Sequence, residues 1–123
     1  MTDTQPAVLD EAVLDELVTS VGDDREFVND LARTFLADAA GLVAAVGDAA
    51  RGDDAEGVVR PAHTLKSSSA TLGCMRLASV AREIEMRARE GAVDASAHDG
   101  TLDAAWDDAA ASMGGWLERA DGG

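Results

Sequence analysis

The chain has no tyrosine, only two phenylalanines and two tryptophans, two prolines and a single cysteine. With Cys74 alone, no disulfide can form within the chain, so stability has to come from packing. The scarcity of aromatic residues, with an apolar core drawn from alanine, leucine and valine, favours helices over sheet. No apolar run approaches the roughly 20 residues needed to span a bilayer. The first residues, Met1-Thr2-Asp3-Thr4-Gln5, contain neither a basic stretch nor an apolar one, so no secretory signal is visible and a cytoplasmic location is expected.

Positive charge is also scarce. The net charge is −14, with ten Lys and Arg against 24 Asp and Glu. A protein that binds nucleic acid or an anionic membrane needs a basic footprint, which excludes both partners. The distribution is uneven. From Arg60 to Arg89 there are six cations (Arg60, Lys66, Arg76, Arg82, Arg87, Arg89) and two acids (Glu83, Glu85), a balance of +4 that leaves −18 for the rest. The only lysine, Lys66, lies in this basic segment.

Five amphipathic patterns follow one another, with no strand alternation and no repeat. The first spans about Val8 to Val21 and is closed by Gly22. Asp23 or Asp24 then caps the second, where Phe27, Leu31, Phe35, Ala39, Leu42 and Val46 recur at helical spacing until Arg51-Gly52-Asp53-Asp54 ends it. The third runs from about Ala55 to Leu72 with Gly73 at its C′ position. The fourth, Met75 to Glu90, turns Leu77, Ala81, Ile84 and Ala88 inward. The fifth, Ser96 to about Glu118, carries Leu102, Ala105, Ala109, Met113 and Trp116 on one stripe, and the tail from Asp121 is expected to fray. Met86, Trp106 and Trp116 are expected in the core or a groove. At 123 residues this predicts one all-α domain over residues 1–123, with its core at about 8–118. The expected architecture is an antiparallel four-helix bundle with one additional short N-terminal helix capping an end; a bundle completed by dimerisation is the runner-up.

The third helix carries the chemistry. At 100° per residue, with His63 at 0°, Val58, Leu65 and Leu72 fall together on the opposite side as a core stripe. Lys66, Ser67 and Ala70 lie on the histidine's own face. His63 is therefore exposed, and its neighbours are small or cationic. A neutral imidazole has a lone pair able to attack phosphorus, Lys66 can offset the arriving charge, and small side chains let another protein lie on the helix. Pro61 removes one helical hydrogen bond and crowds the carbonyl of Gly57; a kinked continuous helix is favoured over one that begins near Arg60. Two histidines and one cysteine at unrelated spacings make a poor zinc site, His98 has no partner in sequence, and no metal site is expected.

The run His63-Thr64-Leu65-Lys66, followed by small residues and Gly73, resembles the signature of histidine-containing phosphotransfer (HPt) domains of multistep phosphorelays. Val21-Gly22-Asp23-Asp24, Phe27, Thr34-Phe35-Leu36 and Leu77 through Glu85 are similar to the family's flanking segments, and the likeness covers about residues 8 to 118. It implies that His63 accepts a phosphoryl group from a receiver-domain aspartyl phosphate, or a kinase, and passes it to another receiver. Lys66 would stabilise the phosphoryl group; Ser67, Ala70, Pro61, Val59 and Thr64 would form the receiver-docking surface; Gly73 would be the motif glycine. The partners implied are response-regulator receiver domains or a hybrid histidine kinase, met by a monomeric phosphocarrier that is not an enzyme. No cofactor is expected, since Mg²⁺ belongs to the receiver, and no carboxylate set beside His63 is expected to hold a metal. The sequence departs from the family where glycine usually follows the lysine: Ser67 stands there, which bears on receiver preference. Cys74 reads as a small buried residue. A docking adaptor that is not phosphorylated is the alternative. The phosphoacceptor part of a sensor kinase is disfavoured, because Thr64 is not acidic. Met1 and a complete bundle favour a free-standing protein.

Overall fold

The computed structural model describes residues 5–121, which form α1 (Glu11–Ser20), α2 (Arg25–Arg51), α3 (Ala55–Thr71), α4 (Met75–Arg89), a single 3₁₀ turn (Ala95–Ala97) and α5 (Thr101–Asp121). No strand occurs among the described residues. Part of the acidic excess is spent on starting these helices. Asp10, Asp24 and Asp54 accept from Ala12 N, Phe27 N and Gly57 N at 3.1, 3.0 and 2.9 Å. Each satisfies an amide that the first helical turn leaves unpaired, and an acid follows in the first turn at Glu11, Glu26 and Glu56, facing the positive end of the helix dipole.

Helices α2 to α5 pack as the expected antiparallel bundle around one core, and the contact between α3 and α4 is the most extensive. Fully buried alanines at 32, 39, 62, 81 and 109 let the helices approach closely. The few aromatics are used at specific joints. Phe35 and Trp106 meet edge to face with centroids 6.3 Å apart, and the Arg25 guanidinium lies 3.6 Å above the Trp116 ring while Nη2 donates to its carbonyl at 3.2 Å. This clamp pins the start of α2 to the end of α5.

The short α1 lies across one end of the bundle. Its Leu14 is fully buried, Glu11 pairs with Arg119 of α5 at 2.6 Å, and the chain just before it accepts from Arg76 of α4 at Pro6 O and Ala7 O. Gly73 makes the seat. Its φ of +83° suits glycine, its carbonyl accepts from Asp10 N at 2.8 Å, and an added Cβ would lie 2.6 Å from Asp10 O.

Four expectations are corrected. The fifth helix does not begin at Ser96. Asp94 accepts from both Ser96 N and Ser96 Oγ, the chain turns through Gly100 at φ +102°, and Asp99 caps a new start at Thr101. The first helix begins at Glu11, three residues later than Val8, because Asp10 is its N-cap. The apolar stripe of α2 is rotated at its N-terminal end. Val28 and Ala32 are buried, whereas Phe27 is 48% exposed and Leu31 also faces outward; Met86 on α4 is exposed too. Asp121 closes α5, and Gly122-Gly123 fall outside the described residues.

Candidate functional site

α3 runs unbroken through Pro61. Val58, Ala62, Leu65 and Leu72 are buried beneath it, which fixes the helix's rotation and turns His63 outward with 52% of its side chain exposed. Ser67, Ala70 and Thr64 are exposed, and Val59 and Pro61 are half-buried. Gly73 is not part of this surface; it lies at the far end of α3 under α1. Cys74 is fully buried, and burial pushes its thiol up to about 11, which keeps it in the thiol form. His98 is exposed.

The residue missing from the sequence reading is Glu85. It projects from α4 into the α3–α4 seam with only 5% of its side chain exposed, and it gathers three partners. His63 Nδ1 is 2.9 Å from Oε2, Arg89 places Nε and Nη2 each 2.8 Å from the same oxygen, and Lys66 Nζ lies 2.7 Å from Oε1. The Lys66 contact is an ion pair rather than a well-aligned hydrogen bond, so Oε1 keeps unused acceptor capacity. A carboxylate does therefore stand beside His63, although alone. No group of three or more potential ligands that could hold a metal ion occurs among the described residues. A signal for Glu85 existed: it sits one turn beyond the buried Ala81 and next to the buried Ile84, an acid on the inward face of an amphipathic helix.

Burial alone would raise the Glu85 carboxyl, but the close Lys66 ammonium and the hydrogen bonds from Arg89 and His63 outweigh it and hold the group down at about 2. Glu85 is thus ionised at neutral pH and can only accept. The proton of the His63–Glu85 bond must then sit on Nδ1, which leaves the lone pair on Nε2. The two ring nitrogens flank one carbon, so a ring that turns Nδ1 inward presents Nε2 to solvent.

On the other flank of α3 a groove runs between α2 and α3, lined by Leu31, Phe35, Leu42, Ser67, Ser68 and Thr71 among others. Its apolar wall comes from the stripe Leu31, Phe35 and Leu42 of α2. His63 therefore lies between a cationic seam on the α4 side and a mostly apolar groove on the α2 side.

The site on this helical bundle is thus an exposed imidazole bonded through Nδ1 to a buried carboxylate. The chain belongs to the Hpt domain family, whose model matches residues 30–113, more than half of its length. The family is one of phosphocarriers that work with receiver domains in phosphorelays. Among solved structures, the fold is similar to the crystal structure of histidine-containing phosphotransfer protein B (HptB) from Pseudomonas aeruginosa PAO1. The TM-score is 0.79 at 24% identity, with 91% of this chain and 96% of that chain covered. No curated protein matches the sequence. No helix among the described residues is long and apolar enough to cross a membrane.

Proposed function

We propose that His63 is the phosphoacceptor and Nε2 its reacting atom. The observation that carries this reading is the bond from Nδ1 to an ionised, buried Glu85. The Nε2 lone pair attacks the phosphorus of a receiver's aspartyl phosphate, the N–P bond forms, and the bond to the acyl oxygen breaks. The receiver's carboxylate is the leaving group. No proton needs to depart, because Nδ1 already holds the only one, and the ring's new positive charge lies against the Glu85 carboxylate. Donation to a second receiver is the same step reversed.

Lys66 stabilises the phosphoryl group. One of its three N–H groups faces Glu85, and the others remain for phosphoryl oxygens. The receiver docks over Ser67, Ala70, Thr64, Pro61 and Val59 and brings its own Mg²⁺, so this chain acts as a monomeric cytoplasmic carrier rather than an enzyme. Ser67, in place of the usual glycine, is the position at which receiver preference is set.

The test is incubation with a phosphorylated receiver. The protein should gain an acid-labile, base-stable phosphate that is absent from His63→Gln. Label appearing equally on His63→Gln would refute the assignment, and receiver binding without any label would make the protein a docking adaptor.

A further inference from the structure

Of the ten Lys and Arg side chains, nine are engaged within the fold. Arg33, Arg51, Arg82, Arg87 and Arg119 pair with acids, as do Lys66 and Arg89 with Glu85. Arg25 is clamped on Trp116 and Arg76 donates to Pro6 O. Among the described Lys and Arg residues Arg60 alone makes neither a side-chain hydrogen bond nor an ion pair, although the protein carries 24 acids. Glu56, the acid one turn before it at a spacing suited to pairing, is not bonded to it. The single unengaged cation therefore stands one turn from His63.

Its flank matters as much as its freedom. Lys66 meets Glu85, which fixes α4 on one side of His63. Ser67 lines the groove with α2, which fixes the other. At 100° per residue Arg60 lies about 60° and Ser67 about 40° from His63 on the α2 side, while Lys66 lies about 60° away on the α4 side. Glu85 holds Nδ1 on the α4 side, so Nε2 is turned away from α4 and out to solvent, where a side chain from the opposite flank can reach it. Residues three apart on a helix surface have Cβ atoms about 5–6 Å apart, well within the reach of an arginine stem.

We propose that Arg60 is a phosphoryl-binding residue. Its guanidinium closes on the oxygens of the phosphoryl group on Nε2 from the side opposite Lys66. Lys66 is partly neutralised by Glu85; Arg60 is not, and its planar fork matches two phosphoryl oxygens at once. The phosphorylated ring then has a cation on each side, and the free protein keeps one of them unpaired for that purpose. The other charged groups near the ring are Lys66 on α3, Glu85 and Arg89 on α4 and, further along the α2 groove, Asp38.

This inference rests on His63 being the phosphoacceptor, and two donors separate the two claims. Wild type, Arg60→Gln and Arg60→Lys are phosphorylated by a phosphorylated receiver and, separately, by phosphoramidate, a small donor that needs no docking surface. Arg60→Gln should slow labelling about tenfold with both donors, as expected for loss of a charge-assisted contact to the transferring group, and Arg60→Lys should recover most of it. The ³¹P resonance of the phosphohistidine should also move in Arg60→Gln, which a purely structural role would not cause. Its thermal unfolding should match wild type, because the side chain is exposed and unbonded. Equal labelling of wild type and Arg60→Gln by phosphoramidate overturns the proposal, and a defect confined to the receiver donor overturns it in favour of a receiver contact. Absence of label on wild-type His63 with either donor refutes the phosphoacceptor reading instead.

Discussion

Replacing Glu85 by glutamine keeps the side chain's shape and removes the charge on which the site is organised. The Glu85 carboxyl ionises at about 2 in the folded protein against an ordinary value of 4.5. A folded-state value below the unfolded one means that ionised Glu85 contributes stability above about pH 4.5 and that this is lost as pH falls through about 2. The difference corresponds to about 3 kcal/mol, an upper figure because Lys66, Arg89 and His63 are partly exposed and screened. About 2 kcal/mol of it is lost between pH 5 and pH 3.

The assay is urea unfolding of wild type and Glu85→Gln at both pH values and one ionic strength. Acidification also relieves repulsion in a chain of net charge −14, and this effect is shared by both proteins. The informative quantity is therefore the difference between them. Wild type should lose about 2 kcal/mol relative to the variant between pH 5 and pH 3. A difference that stays constant would refute the claim that the cation clasp holds Glu85 ionised, and with it the assignment of the Nδ1 proton.

Two further outcomes are expected. Lys66→Ala should slow phosphoryl transfer within the receiver complex more than it weakens receiver binding, because the ammonium meets the phosphoryl group rather than a broad surface; stopped-flow transfer measured alongside binding isotherms decides, and weaker binding at an unchanged rate would count against it. Ser67→Trp should abolish receiver binding while leaving thermal unfolding unchanged, since Ser67 is exposed beside the α2–α3 groove; an unfolded variant would show that the position is packed.

The face of His63 was legible because it needed only helical geometry. Val58, Leu65 and Leu72 mark one side of α3, and a residue opposite them has to face outward. Glu85 was not legible in the same way. Its bond to His63 joins residues 22 apart on different helices, and only the rotation of α4 against α3 brings them together. The outward turn of Phe27 and Leu31 was hidden for a related reason. Phe27-Leu31 and Val28-Ala32 both have helical spacing on neighbouring faces, and hydrophobicity alone favours the larger pair. Packing selected the smaller residues, which let α2 approach its neighbours, and left Phe27 and Leu31 outside. At Ser96 the apolar stripe continued while local polar chemistry stopped the helix, since Asp94 and Asp99 cap two separate starts.

By itself the sequence determined the helices, their caps, the bundle and the outward histidine, because each depends on interactions within a turn or on burial of a periodic stripe. The tertiary structure decided which nitrogen of that histidine is held by a carboxylate and which cations gather around it. Those contacts depend on the seam between α3 and α4, where a buried carboxylate engages Lys66 and Arg89 and orients the ring.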